Sequence, residues 1–146
     1  MSINNNWILK KYIDYIQPSS NDFRERFTKF NIPIHEYETF IDWSKILPFY
    51  SFIYDYEGNE FEIATFLKKS VLADYEHVIV YIDPDLPLIK IEKEIFINNW
   101  EDFVASNGFT GIVIFTDDGK FFAEFTDDSQ WRLYSNFLIK TNSTDL

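Results

Sequence analysis

Cysteine is absent from this chain of 146 residues, and glycine and proline are scarce, at 4 and 5 residues. Without cysteine the protein has no disulfide, no cysteine-ligated zinc and no thiol catalysis. No unbroken apolar run approaches the roughly 20 residues that a membrane-spanning helix needs, and the first residues lack the order of a signal peptide. We therefore expect a cytoplasmic protein.

Positive charge is also in short supply, because 13 basic residues stand against 24 acidic ones and leave a net charge of -11. A surface of this sign repels phosphate backbones and anionic lipid and attracts basic proteins. The composition therefore argues against direct binding to nucleic acid or membranes. The charge is uneven, since residues 1–32 hold five basic and three acidic side chains.

Apolar spacing predicts that residues 1–32 form a basic helical arm. A first helix includes Tyr12 and Ile16 and stops at Pro18, and a second places Phe23, Phe27 and Phe30 on one face. We expect one domain, residues 1–146, in which this arm precedes an α+β core at residues 49–139.

The core reads as an alternation of strands and helices. Strands are expected at 49–56, 77–82, 88–97, 112–116 and 121–126, with a further strand near 132–139 and helices beginning after Asn59 and Asn98. The strand at 77–82 is continuously apolar, which is typical of burial on both faces. The fold class is therefore α+β: a mostly antiparallel sheet with a split β-α-β-β-α-β core, extra C-terminal hairpin strands and N-terminal helices.

The C-terminal hairpin can be predicted in detail. Asp118-Gly119 favours a type I′ turn, in which both central residues take positive φ. With that turn, Thr116 lies opposite Phe121 and Ile114 lies opposite Ala123.

Motifs for catalysis or metal binding are missing. His35 and His77 are far apart in sequence and fit no metal-ligand spacing. Paired aspartates could hold a hard cation, but turn chemistry explains such pairs more simply. They are Asp83 with Asp85, Asp117 with Asp118, and Asp127 with Asp128. We expect no catalytic residue, no metal and no cofactor, and hence a protein that is not an enzyme.

Acidic residues interleave with aromatic ones, which make up 20% of the sequence. Tyrosine and tryptophan provide binding area, and carboxylates around them select a cationic partner. Inward aromatics and outward acids on strands would give the same pattern. From these strings and the expected fold we predict the following partner-binding residues: Asp55, Glu57, Glu60, Asp74, Glu76, Glu101, Asp102, Asp127, Asp128 and Trp131.

The split fold predicts where these acids meet. If the first and third core strands end at one edge of the sheet, the second and fourth begin there. That edge would collect Glu57, Glu60, Asp74, Glu76, Glu94, Glu101, Asp102, Asp127 and Asp128, and leave Asp83, Asp85, Asp117 and Asp118 at the other.

The stretch WEDFVASNGFTGIVIFTDDGKFFAEFTDDSQWRLYSNF, together with the small, acidic, cysteine-free character of the chain, resembles bacterial immunity proteins of contact-dependent growth inhibition and related polymorphic toxin systems. It covers about a quarter of the chain and carries over no residue roles. The resemblance implies that a toxin domain, often a basic nuclease, is neutralised in the cytoplasm by a tight one-to-one complex.

Three functions stay open at this stage. The first is a non-catalytic immunity protein that binds a cognate toxin domain through an acidic surface. The second is a nucleic-acid mimic that antagonises a DNA-binding protein, and the third is a small carboxylate-dependent hydrolase. A monomer is the simplest expectation for the oligomeric state. The basic N-terminal segment could pack on the acidic body, mediate dimerisation or add a contact surface.

Overall fold

The computed structural model describes residues 7–20, 23–35, 40–53, 59–83, 86–105, 111–127 and 131–139. The helices are α1 (Trp7–Lys11), α2 (Phe23–Lys29), α3 (Asn59–Lys68), α4 (Lys93–Asn98) and α5 (Trp100–Ala105), and short 3-10 helices span Trp43–Lys45 and Val71–Asp74. The strands are β1 (Ile16–Ser20), β2 (Tyr50–Ile53), β3 (His77–Tyr81), β4 (Leu88–Glu92), β5 (Ile112–Phe115), β6 (Phe122–Asp127) and β7 (Trp131–Ser135).

The strands in this part of the chain form one antiparallel sheet in the order β1-β4-β3-β5-β6-β7-β2. The predicted α+β class is confirmed, and so is the order β-α-β-β-α-β from β2 to β5. The sheet order separates β2 from β3 by three strands, so β2 pairs with β7 at the end of the sheet.

Both faces of the sheet are covered. On the first face, side chains of α1, α3, α4 and α5, such as Ile8 and Phe103, pack on Val78 and Val80. On the second, α2 and residues 40–46 pack on Ile79 and Tyr81. Because neighbouring residues of a strand point to opposite faces, β3 is buried on both sides, as its apolar sequence predicts.

The prediction that residues 12–17 continue a helix is wrong. Helix α1 ends at Lys11, and Ile16–Ser20 pairs with β4 as a strand at one end of the sheet, with Ile16 opposite Ile91. Pairing with a distant strand overrides the local spacing. Pro18 is tolerated because an end strand leaves one row of N–H groups without a ladder partner. The basic segment is therefore part of the sheet as well as helical.

The predicted strand at 88–97 is wrong in its second half. Strand β4 ends at Glu92, and residues 93–98 form α4. Odd-numbered isoleucines fit a strand, but the buried set Phe96, Ile97 and Trp100 has the spacing of a helix. Helical burial on the first face of the sheet decides between the two patterns.

The register of the β5–β6 hairpin is confirmed, and its turn type is not. Ile114 lies opposite Ala123, and Thr116 N–H donates to Phe121 O at 2.9 Å. A type I′ turn needs positive φ at Asp118, but among the described non-glycine residues only Asn31 has it. Gly119 N–H donates to Thr116 O at 2.9 Å, and Gly119 takes the positive φ of 75°. A four-residue loop needs only this one left-handed residue.

The predicted collection of acids at one edge is also wrong. We call the lower edge the one where β3 begins and β4 ends, and the upper edge the opposite one. The pairings make β2 parallel to β3 and β4 parallel to β5. A β-α-β crossover returns the chain to the edge where the first strand began. Asp74 and Glu76, before β3, therefore lie at the lower edge, whereas β6 ends with Asp127 at the upper edge.

Two glycines yield the first prediction. A Cβ at Gly111, where φ is 91°, would overlap the backbone carbonyl of Phe125, and one at Gly119 would overlap the ring of Phe30. A ring can move, whereas a sheet carbonyl cannot without loss of strand pairing. We expect Gly111→Ala to lower the free energy of unfolding by roughly 2–4 kcal/mol and Gly119→Ala by roughly 1–2 kcal/mol. Urea denaturation measures both, and an equal or reversed order would contradict this packing.

Candidate functional site

The lower edge carries a group of exposed acids, which we call the acidic lower edge: Asp74, Glu76, Glu92, Glu94 and Asp118. The β3–β4 pair builds its first half. His77 lies opposite Glu92, and Lys93 N–H donates to Glu76 O at 3.0 Å. The backbone therefore holds Glu76 and Glu92 next to each other, with Glu94 in the first turn of α4.

The β5–β6 turn builds the second half. Tyr75 Oη–H donates to Asp118 Oδ2 at 2.8 Å, which ties the residue after the second 3-10 helix to this turn. Asp118 Oδ1 accepts from Thr116 Oγ1 at 2.7 Å and from Lys120 N–H at 3.0 Å. Asp118 is therefore held beside Tyr75, the residue after Asp74, although the sequence analysis placed it at the opposite edge.

These bonds shift two pKa values. Desolvation pushes the pKa of Asp118 upward, but the bonds from Thr116, Lys120 N–H and Tyr75 outweigh it, so this pKa lies below its usual range. Desolvation, followed by the bond to Asp118, raises the pKa of Tyr75. Asp118 is thus ionised, and Tyr75 neutral, over the physiological range.

Exposed apolar side chains lie beside the acids. Ile13 and Tyr15 are 45% and 55% exposed. They immediately precede β1, whose first residue Ile16 pairs with Ile91, so Tyr15 lies alongside Glu92. An aromatic ring with a polar tip next to carboxylates is suited to binding another protein. Sequence analysis missed both residues because it predicted that the helix continues to Pro18.

The structure separates the predicted partner-binding residues. Asp74 and Glu76 lie on the acidic lower edge, whereas Glu101 and Asp102 lie on α5. The backbones of Asp127 and Trp131 pair with each other at the upper edge, and Glu60 lies in the first turn of α3. The side chains of Glu60, Asp127 and Trp131, and all of Asp55, Glu57, Asp85 and Asp128, lie outside the described residues.

The basic N-terminal segment packs against the acidic body. Lys11 Nζ and Tyr12 Oη donate to Asp102 Oδ2 at 2.9 and 2.7 Å. The bond to Asp102 raises the pKa of Lys11, and burial followed by the same carboxylate raises that of Tyr12. Burial acts to raise the pKa of Asp102, but the bonds from Lys11 and Tyr12 lower it overall.

A second pairing joins α2 to the β5–β6 turn. Arg26 Nη2 lies 3.2 Å from Asp117 Oδ1, and Lys90 Nζ lies 3.9 Å from Asp117 Oδ2. Asp102 and Asp117 are therefore occupied by the protein's own cations. The acids offered to another molecule are those of the acidic lower edge.

The aromatic residues that alternate with acids in the sequence mostly pack inward. Trp43 is buried, and its ring stacks on that of Tyr134 with centroids 5.5 Å apart. Phe125 is buried against Trp100. At these positions the alternation of aromatic and acidic residues arises because the aromatic side chains point inward and the acids outward. This is the simpler of the two interpretations given above.

One acid lies inside the protein. Glu124 shares its face of β6 with Phe122 and is buried. Its Oε1 accepts from Ile41 N–H and from Trp43 Nε1–H, both at 3.0 Å, and its Oε2 accepts from Phe40 N–H at 2.5 Å. These charge-assisted bonds fix residues 40–43 to the second face of the sheet. Glu124 therefore has a structural role.

A cavity of about 410 Å³ opens between the end of α3 and the start of α4, lined by Lys68, Ala73, Lys93, Glu94 and Ile97. Lys93 Nζ donates to Ala73 O at 2.7 Å, which closes one side of it. Within the described ranges, no three His, Asp or Glu side chains are grouped so that they could hold a metal ion.

Comparison of the chain with protein-family models, with curated protein sequences and with solved structures found no match in any of the three. Among the described helices, none has the length and apolar character to span a bilayer. The case for function therefore depends on the geometry of this chain alone.

Glu124 yields the second prediction. In Glu124→Gln an amide nitrogen replaces one acceptor oxygen and leaves a buried N–H without its bond. We expect the free energy of unfolding to fall by about 2–4 kcal/mol, measured by urea denaturation. Glu92→Gln, at an exposed acid, should change it by less than about 0.5 kcal/mol. Equal effects at the two sites would contradict the anchoring role.

Tyr75 yields the third. In Tyr75→Phe, Asp118 loses one donor, so its pKa should rise towards the ordinary value. A carboxyl group whose pKa is lowered by folding stabilises the folded state at any pH above its pKa in the unfolded state. This contribution is lost as the pH falls through its pKa in the folded state. The variant should therefore lose less stability between neutral and acidic pH than the parent. Carboxyl carbon NMR titration measures the pKa, with Tyr15→Phe as the control that leaves Asp118 unchanged.

Proposed function

We propose that this protein is a non-catalytic binding protein that captures and neutralises a basic protein partner through the acidic lower edge. Immunity proteins of bacterial toxin systems work in this way, and a cognate toxin domain is the partner we propose. The observation that carries the proposal is the exposed group Asp74, Glu76, Glu92, Glu94 and Asp118 beside Tyr15.

The electrostatics support a cationic partner. The protein carries a net charge of -11, and Lys11 and Arg26 are bound to Asp102 and Asp117. The five acids of the lower edge are exposed. Lys11 is bound on α5, whereas Arg26 is bound at Asp117, next to Asp118 in the β5–β6 turn. An electrostatic field of this kind raises association rates and lowers them again as salt is added.

The dimensions of the edge support a protein partner. Seven strands spaced roughly 4.8 Å apart give an edge about 29 Å long. An interface of standard size buries about 800 Å² on each partner, which corresponds to a patch about 30 Å across. The exposed residues Ile13 and Tyr15 supply apolar area at one end of this edge. In this proposal the acids raise the association rate and select a basic partner, and the apolar residues contribute most of the binding affinity.

The fourth prediction tests this surface with matched variants. Glu76→Lys with Glu92→Lys reverses two acids on the lower edge, whereas Glu62→Lys with Glu101→Lys reverses two exposed acids on α3 and α5. Both pairs change the net charge equally. We expect the edge pair to weaken binding by at least about tenfold and the control pair by less than about threefold.

The test first requires a toxin-type domain in a reading frame next to this gene, and a neighbourhood without one would count against the proposal. Binding of that domain is measured by calorimetry and by rescue of cells that express it. Binding of the parent should weaken as salt rises from about 0.05 to about 0.5 M. Equal losses in the two pairs, or affinity that is independent of salt, would overturn the proposed surface.

A further inference from the structure

Large apolar side chains that face water gather at the lower edge of the sheet. The strand pairings make β1 and β2 begin, and β7 end, at this edge. Of the seven such side chains in the described residues, six lie within three residues of one of these three strand ends. Single apolar residues scattered over a surface need no explanation, whereas a grouped set marks an interaction site. The six are Ile13 and Tyr15 before β1, Leu47, Phe49 and Tyr50 at the start of β2, and Leu138 after β7.

The strand order places apolar residues at both ends of the lower edge and acids in the middle. In the order β1-β4-β3-β5-β6-β7-β2, Ile13 and Tyr15 mark the β1 end, and Leu47 marks the β2 end. The acids lie between Glu92 at the end of β4 and Asp118 in the β5–β6 turn. With strands roughly 4.8 Å apart, the acids span about 14 Å of an edge about 29 Å long.

The β2 end is the more prominent of the two. Leu47 is 93% exposed, and Phe49 and Tyr50 are 41% and 39% exposed. The ring of Phe49 lies 6.1 Å from that of Trp43 and 6.4 Å from that of Tyr134, between centroids. These contacts hold Phe49 in place while part of it remains in water. A side chain that is already ordered loses little conformational entropy on binding.

We propose that the lower edge docks a folded basic protein through apolar contacts at both of its ends and through the acids between them. This inference rests on the proposed function and adds the shape of the partner. The partner surface carries a basic strip about 14 Å wide, with an apolar patch on each side of it. Tyr15 and Leu47 are the main contacts, because they are the most exposed apolar residues at their two ends.

The charges select this occupant over a second copy of the chain. Each copy carries a net charge of -11, and two copies that met along their lower edges would bring acids against acids. Like charges that face each other across an interface oppose association. Residues 46–50 contain no charged side chain, so they do nothing to relieve this repulsion. A basic strip neutralises the acids and lets both apolar ends come into contact.

The two ends and the centre respond differently to salt. Salt screens the attraction between the acids and a basic strip, whereas burial of apolar side chains needs no charge. A rigid partner that meets one end is already positioned at the other, so the two apolar contacts reinforce each other. Loss of either apolar end should therefore weaken the complex at any salt concentration.

The fifth prediction uses exposed apolar residues, whose replacement by alanine leaves the net charge unchanged. We expect Leu47→Ala and Tyr15→Ala each to weaken binding at least about tenfold. Trp7→Ala, at a side chain that is 49% exposed on α1, should change it by less than about threefold. The probe is the toxin-type domain of the neighbouring reading frame, measured by calorimetry at about 0.05 and about 0.5 M salt. The losses at Leu47 and Tyr15 should be the same at both salt concentrations, and circular dichroism confirms that each variant is folded.

Failure of the two-ended docking is distinguishable from failure of the proposed function. If Glu76→Lys with Glu92→Lys weakens binding but Leu47→Ala or Tyr15→Ala behaves like Trp7→Ala, the two-ended docking is wrong and the proposed function stands. If the domain does not bind, or binds without regard to the acids, both are wrong. Sedimentation equilibrium of the protein alone at about 200 µM should show a monomer. A dimer that Leu47→Ala abolishes would show that a second copy covers the β2 end, and would overturn the inference.

Discussion

The bond network around Glu124 is the constraint on which the second face of the sheet depends. That face is covered by one helix of 7 residues and by residues 40–46, which contain only a short 3-10 helix. Within this segment the N–H groups of Lys45 and Ile46 bond to its own carbonyls, whereas those of Phe40 and Ile41 bond to Glu124. Burial of these two groups without partners would cost more than the packing contributes. The carboxylate supplies these partners from a strand inside the sheet. Trp43 can then stack on Tyr134, and the chain enters β2 at the end of the sheet.

The geometry of the β-α-β crossovers decides at which edge of the sheet the acids lie. Each β-α-β unit returns the chain to the edge where it started, so Asp74 and Glu76 precede β3 at the same edge at which β4 delivers Glu92. The N-terminal cations have a different role, because Lys11 and Arg26 neutralise Asp102 and Asp117 within the fold. The lower edge is therefore acidic through the placement of its residues, beyond what the overall composition requires.

Local patterns were sufficient for much of the fold. The apolar run of β3, the strand-helix order from β2 to β5 and the opposition of Ile114 to Ala123 each depend on neighbouring residues and their periodicity. The pairing of β1 with β4 could not be predicted, because it joins distant segments against a local helical spacing. Ile95 fits both a strand and a helix, and only burial of Phe96 and Ile97 on the first face selects the helix.

The candidate site, like the fold, could be predicted from the sequence only in part. Sequence identified Asp74 and Glu76, but the position of Asp118 follows from a turn and from the hydroxyl of Tyr75. Glu124 did leave a signal in the sequence, because it occupies the same parity as Phe122 on a buried strand. An acid at an inward position of a strand is expected to have donors around it, and here those donors come from residues 40–43.

The β1 end of the sheet limits how far the sheet can grow. A sheet that is open at both ends can add copies indefinitely and form a fibre, and protection of one end stops growth in that direction. Pro18 has no N–H to donate, and the register shifts between Pro18 and Ser20, so β1 is a poor template for a further strand. The chain gains in this way a safeguard against aggregation.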